Sequence, residues 1–309
     1  MKTAAVILNY NDPEATKGAV ERLRHFRAID DVIVVDNAST DNSARKLGSY
    51  LKRINAEDAD GGPDRYTLVL SDRNGGYGYG NNIGLRYACE ITGSGLCLIA
   101  NPDSVFDEGL VGAMKSCFED EEVAAAGAVM RSGSSMNYGD FRASAWPLRS
   151  LFWEVLASGP ICRRLFGSRL SYGRRHFQET GARREVAADC VHGSLVMLDT
   201  EKVLAAGGYD EGIFLYCEET VLGRRLKDSG YRTVLVTGRS YAHAGGSSIK
   251  HAGLGALRRQ RLRQRSERYY YRHYLSAGPI SMAAVRLFQW AVLLETLALE
   301  LVERLGRKG

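Results

Sequence analysis

The sequence predicts an α/β fold: a mostly parallel central sheet with flanking helices, followed by a C-terminal helical tail. Three observations carry this reading. Runs such as "TAAVIL", "DDVIVV" and "GLCLIA" are apolar without alternation, as strands buried on both faces are. Each is followed by a cluster of polar residues and then by a helical stretch, the strand–helix rhythm of a doubly covered sheet. From Met282 to Leu305, apolar residues recur on one broad helical face.

The elements follow in order. "TAAVILNYN" reads as the first strand, and Asp12-Pro13 supplies a cap and a proline for a helix running to about Arg27. "DDVIVVDNAST" is a second strand, with Asp41 opening the next helix. "YTLVLSDRNGG" is a third, followed by a glycine-rich turn and a helix through Tyr87. "GLCLIANPDS" is a fourth, with a helix near Gly109 to Phe118, and "EVAAAGAVM" is a fifth. Periodicity fails over residues 131 to 186, which read as an irregular or acceptor-side insertion in a domain spanning 1 to 250. "VAADCVHGSLVMLD" reads as one strand, Thr200 to Ala206 as a short helix, and "GYRTVLVTG" as the last strand. Residues 251 to 309 form a basic, amphipathic tail.

The chain has 309 residues, 45% hydrophobic and 25% charged, with a net charge of +5, which is ample material for a globular core. The positive excess is local. Arg131 to Val186 holds ten arginines against four acids, and Arg258 to Arg272 holds seven. Such patches suit phosphate-bearing ligands or an anionic membrane face. Nucleic acid fits poorly, because aromatic interleaving is confined to residues 268 to 272 and no binding motif appears. Six scattered cysteines without a CxxC pair predict a reduced, cytoplasmic compartment. The first apolar run is too short for a signal segment, and no stretch reads as the roughly 20 apolar residues that cross a bilayer.

In sheets of this kind ligands sit beyond the carboxyl ends of the strands. Polar clusters lie there: Asn9 to Asp12, Asp36 to Thr40, Asp72 to Gly76 and Asn101 to Ser104. Asp36 and Asn37 can accept from a nucleobase or ribose. In "NGGYGYGNNIG" the glycines fit neither a dinucleotide fingerprint nor a phosphate loop, but Gly76 permits close approach, and Asn81 and Asn82 can donate and accept. Asp103 is placed to hold Mg²⁺ or Mn²⁺, which prefer oxygen ligands, or to cap the following turn. His243, after the last strand, can complete a metal shell or be structural, and Gly245 to Ser248 can approach an anion. Glu218 and Glu219 open a helix. One acid there satisfies the helix dipole; a second, beside Phe214 and Tyr216, suits a partly desolvated base.

In order, "VILNYN", "VVDNASTDNS", "NGGYGYGNNIG", "NPDS" and "GSLVMLDTEKVLAAGGYDEGIFLYCEE" resemble glycosyltransferase family 2, particularly its rhamnosyltransferase-like members, over about Thr3 to Ser248. The resemblance implies the GT-A fold and inverting transfer of a sugar, rhamnose for the nearest subgroup, from a nucleotide-diphosphate sugar. The acceptor would be a glycan or lipid-linked hydroxyl in cell-surface polysaccharide synthesis. It implies donor contacts from Asn9, Asn11, Asp36, Asn37, Gly76, Asn81, Asn82 and Asp103, and a divalent metal on Asp103 and His243. Asp210, Glu211 and His192 fall on the acceptor side, and Glu218 and Glu219 form the catalytic pair with Glu219 as base. The family usually reads Glu-Asp at that pair and carries a further acid where Val221 stands here. Those departures keep a second reading open, a nucleotide-sugar-binding or scaffold protein of reduced activity. The tail helix reads as interfacial, peripheral at the inner face of the cell membrane, or as packed on the catalytic domain or a dimer mate.

Overall fold

The computed structural model describes residues 1–58, 65–132, 136–178, 185–243 and 255–306. Strand β1 (Thr3–Asn9) leads into helix α1 (Pro13–Arg24), and β2 (Asp31–Asp36) into α2 (Ser43–Asp58). Strand β3 (Tyr66–Leu70) leads into α3 (Tyr77–Glu90). Strand β4 (Leu96–Ala100) runs through the short β5 (Ser104–Val105) into α4 (Glu108–Ser116). The capping chemistry is local: Asp12 accepts from the Ala15 amide at 3.2 Å, and Asp107 from the Leu110 amide at 2.7 Å. Helix α1 stops at Arg24 rather than Arg27. The Arg65 guanidinium donates to the carbonyls of Arg24, Phe26 and Ile29 at 2.7–2.9 Å and gathers the chain into a turn.

The sheet runs β3-β2-β1-β4-β10-β6-β11, where β6 is Val123–Arg131, β10 is Leu195–Asp199 and β11 is Arg232–His243. Pairings β1–β2, β1–β4, β2–β3 and β6–β11 are parallel; β10 is antiparallel to both β4 and β6. The outer edge of β11 is shared by β5 and by β8 (Glu185–Ala188). Alternate residues serve alternate faces. Ala5, Ile7, Val32 and Val34 enter the core under α1, α2 and α4, while Ala4, Val6, Ile33 and Val35 enter the core under α3.

Two expectations are corrected. The single strand expected over residues 186 to 199 is three: β8, β9 (Cys190–Val191) and β10, with β9 pairing with β7 (Ala145–Trp146). The break falls at His192–Ser194, where the chain changes partners. The His192 amide donates to the Ser144 carbonyl at 2.9 Å, and the Asn101 amide to the Ser194 carbonyl at 2.9 Å. The irregular segment holds short helices α5 (Tyr138–Ser144), α6 (Leu151–Ser158), α7 (Pro160–Phe166) and α8 (Arg174–Gln178). Then follow α9 (Thr200–Ala205), α10 (Glu218–Asp228), α11 (Ala256–Tyr274) and α12 (Pro279–Gly306).

The boundary expected at residue 250 lies outside the described residues, as do Gly245 to Ser248. Beyond it, α11 packs on the sheet domain. Tyr270, Tyr271, Met282 and Val285 share an apolar cluster with Ile213 and Val221. The second correction concerns α12. Over Pro279–Glu300 it is long and apolar enough to cross a membrane by length and composition, with mean hydropathy 1.5. Arg286, Gln289 and Glu295 interrupt the run in the sequence without removing its average.

Candidate active site

The polar strand ends meet at one edge of the sheet. Asn9 ends β1 and Asp36 ends β2, adjacent in register. Asn9 donates to Asp36 Oδ1 at 2.6 Å, while the Ser39 amide and hydroxyl bind the same carboxylate at 3.0 and 2.6 Å. Asn11 holds the facing loop through the Thr40 amide at 2.8 Å, with a left-handed φ of 54° that asparagine tolerates better than most residues. Asn37 donates to the Gly76 carbonyl at 3.1 Å, and its own Oδ1 is buried without a hydrogen-bond partner. Asn81, fully buried on α3, likewise leaves its Oδ1 unmatched. Gly76 has φ 97°, and a Cβ there would stand 2.1 Å from the Phe214 carbonyl oxygen. That carbonyl accepts from the Tyr77 amide at 3.0 Å. The glycine is therefore required by the approach of a distant loop.

On the other side of β4, Asp103 follows the strand and His243 ends β11. Asp103 Oδ1 lies 3.0 Å from His243 Nδ1, and each side chain is about a tenth exposed. The His243 ring sits 5.8 Å from the His192 ring, centroid to centroid. His192 Nδ1 accepts from the Ser194 amide at 3.2 Å, which leaves the ring proton on Nε2, and burial pushes its pKa down. The Gly193 amide donates to Glu219 Oε1 at 3.3 Å, and the Tyr77 hydroxyl donates to the Gly193 carbonyl at 2.6 Å. Residues 192 and 193 thus join a carboxylate–imidazole pair to a second carboxylate. The break between β9 and β10 makes that junction.

Glu218 and Glu219 are neighbours in sequence but not in environment. Glu218 is buried, with Oε1 unmatched, and burial first and the Glu219 charge second push its pKa up to about 8. Glu219 faces a cavity of about 680 Å³ that it shares with His192, Trp146, Arg149, Arg163, Arg263 and Tyr270, among others. The preceding residues, Tyr216 and Cys217, both take left-handed φ values of 72°, which turn the chain sharply into α10. Such a conformation costs roughly 1–2 kcal/mol per residue for an L side chain. Nothing in the sequence signals it. A larger cavity, about 720 Å³, lies on another face of α11 and carries none of the expected catalytic residues.

Asp210 and Glu211 do not line the cavity beside Glu219. Asp210 pairs with Arg225 at 3.2 Å and accepts from the Tyr274 hydroxyl. Glu211 pairs with Arg86 at 3.2 Å and accepts from Asn82 at 2.9 Å. Asn82 also donates to the Tyr209 carbonyl and accepts from its amide, each at 2.9 Å, so it clamps the turn at Gly207–Gly208 to α3. Val221, where the resemblance led to the expectation of a further acid, lies fully buried in the apolar cluster of the tail. Arg163 and Arg263, from α7 and α11, were not legible as site residues, because only tertiary packing brings them to Glu219.

The family model for "Glycosyl transferase family 2" matches residues 4–189. The chain belongs to that family. The matched span includes the strand ends and Asp103 and stops short of the acidic pair. Solved structures agree in fold. Mannosyltransferase PcManGT from Pyrobaculum calidifontis, in complex with GDP-Man and Mn²⁺, aligns over 96% of this chain and 73% of its own, with TM-score 0.59 and 18% identity. GalNAc-T7 with UDP, GalNAc and Mn²⁺ aligns over 79% of this chain, with TM-score 0.58 and 12% identity. The chain spans 44% of that protein's length. No curated protein sequence matches. This family member therefore has a GT-A-like α/β fold with a mostly parallel sheet and a C-terminal helix.

Proposed function

We propose that this chain is an inverting transferase that moves a sugar from a nucleoside-diphosphate sugar to a hydroxyl of a glycan or lipid-linked acceptor. Rhamnose is the sugar suggested by sequence resemblance, and cell-surface polysaccharide synthesis at the cytoplasmic face of the membrane is the setting. The observation that supports the reading is the line from Asp103 through His243 and His192 to Glu219, with the Asp103–His243 pair on one side of the junction and a cavity-facing carboxylate on the other. Both solved relatives hold nucleotide and Mn²⁺.

The donor set fits a divalent metal in kind. Asp103 and His243 offer an oxygen and a nitrogen side by side, though among the described residues no group of three or more such ligands is found. Two protein ligands suffice for ions that keep water and phosphate oxygens in their shell. When bound, such an ion neutralises charge growing on the departing diphosphate. Glu219 takes the proton of the acceptor hydroxyl. The freed oxygen bonds to the anomeric carbon from the face opposite the nucleotide, and the bond from that carbon to the diphosphate oxygen breaks. Tyr77 and Gly193 hold Glu219 in place. Glu218, kept largely protonated by burial, spares Glu219 a second adjacent charge.

The test is a thermal-shift panel of nucleoside-diphosphate sugars, rhamnose donors included, with and without Mn²⁺, followed by a turnover assay on the donor that binds. Metal-dependent donor binding that Asp103→Ala removes supports the reading. Equal donor affinity with and without metal counts against this metal site. Donor binding without hydrolysis or transfer identifies a binding protein instead.

A further inference from the structure

Helix α12 has two apolar faces, and the tail cluster accounts for one. Met282, Val285 and Val292 turn inward and are less than 5% exposed. Gln289 is buried with them, donating to Glu267 Oε2 at 3.1 Å and accepting from Arg268 at 2.7 Å. On the opposite side Ile280, Leu287, Trp290 and Leu294 are 65–88% exposed. Their three-, four- and seven-residue spacing puts them on one stripe. Large apolar side chains are rarely left contiguous on a surface without a partner.

One edge of the stripe is basic. Along it, Arg265, Arg268, Arg272 and Arg286 line the 720 Å³ cleft between α11 and α12, and among the described residues no acidic side chain lines it. Burial first and the facing charge of Arg286 second lower the Arg268 pKa, against the opposing charge of Glu267. Along the other edge, the α6–α7 hairpin meets α12 where the Ile161 amide donates to Glu295 at 2.6 Å. Ile161 and Leu165, 57% and 69% exposed, extend the apolar surface there. Arg164 lies between them in sequence, while Arg163 lines the cavity of Glu219.

We infer that this face rests on a bilayer containing anionic phospholipid, with the α12 stripe in the interfacial layer and the arginine cleft receiving lipid phosphates. An apolar stripe bordered by a cationic cleft is complementary to such a surface. A second copy of the chain is a poorer partner, because a two-fold contact through the stripe would bring basic edges close to one another. The helix lies on the membrane rather than crossing it. Crossing would strip its inward face from α11 and break the Gln289 hydrogen bonds.

Flotation of the intact protein tests this with vesicles of phosphatidylcholine alone and vesicles in which a third of the lipid is phosphatidylglycerol. The protein floats with the second and not the first, and is released as salt shortens the screening length from about 10 Å at 0.1 M to about 3 Å at 1 M. Each guanidinium near the surface is worth about 1 kcal/mol, or about fivefold, so Arg272→Ser with Arg286→Ser lowers partitioning about 30-fold. Trp290→Ser with Leu294→Ser abolishes it while the thermal melt is retained, since both sites are exposed. Equal binding to the two vesicle types overturns the inference, as does undiminished binding by the double arginine variant. So does a wild-type dimer that ignores vesicles and that Trp290→Ser dissociates.

Discussion

Glu219→Gln separates the chemistry of the proposed base from its architecture. The amide keeps the length of the side chain and an oxygen able to accept from the Gly193 amide, now at 3.3 Å, so the junction with His192 stays in place. What is lost is the ability to take a proton. Positioned general bases contribute about 10²–10⁴-fold, or about 3–5 kcal/mol of barrier, and turnover should fall by that factor. Donor affinity should not change, because Asn9, Asp36, Asn37 and Asp103 hold their partners without help from Glu219. Glu219→Asp is the complementary variant. It keeps the base and retracts it by one methylene, and displacement of about 1 Å can cost about a hundredfold. The assay is steady-state transfer from radiolabelled donor, with a thermal melt as control for folding. Wild-type turnover in Glu219→Gln with an unchanged melt would refute the assignment of the base.

Three further outcomes are expected. Gly193→Ala would set a Cβ 2.9 Å from Glu219 Oε1, so it should depress turnover by about 10- to 100-fold with little change in melting temperature, the displaced atom being the end of a flexible side chain. Gly76→Ala meets the Phe214 backbone at 2.1 Å at a φ of 97°, and should destabilise by about 3 kcal/mol or more in a urea titration. Glu218, with its folded pKa raised to about 8, binds its proton more tightly folded than unfolded. Its contribution to stability is full below the ordinary glutamate value and is lost as pH rises through that window, so Glu218→Gln should flatten the fall in melting temperature across it.

The first four strands were legible because each couples an unbroken aliphatic run to a polar cluster and a following helix, all within local sequence. The region from 185 to 199 was not. Its division into β8, β9 and β10 is set by Asn101 and Ser144, whose backbones bond residues far along the chain. The segment over residues 131 to 178 carries helices as short as the five residues of Arg174–Gln178, too brief to show a period or to stand without tertiary packing. At the site, the strand-end rule located Asn9, Asp36 and Asp103 correctly relative to the sheet. The turn motif did not reveal where Asp210 and Glu211 point, because their partners Arg225 and Arg86 are chosen by packing. The arginine run of α11 likewise hid two roles: Arg263 reaches the cavity of Glu219, whereas Arg265 and Arg272 line the opposite cleft.

The tail is continuous with the site through the loop before the acidic pair. Two successive left-handed residues, Tyr216 and Cys217, would relax if the loop were free. It is held from three sides. The Phe214 carbonyl accepts from the Tyr77 amide, the Leu215 carbonyl accepts from the Ser266 hydroxyl at 2.7 Å, and the Arg263 guanidinium stacks 4.7 Å from the Tyr216 ring. Two of those three contacts come from α11. The strained turn decides which glutamate is buried and which faces the cavity, since adjacent positions on a helix point about 100° apart. The helix that carries the arginines of the proposed lipid-binding cleft therefore also fixes the orientation of the proposed base. Seating α11 and α12 on a membrane would stiffen that loop, and an acceptor embedded in the same membrane would approach a base already turned toward it.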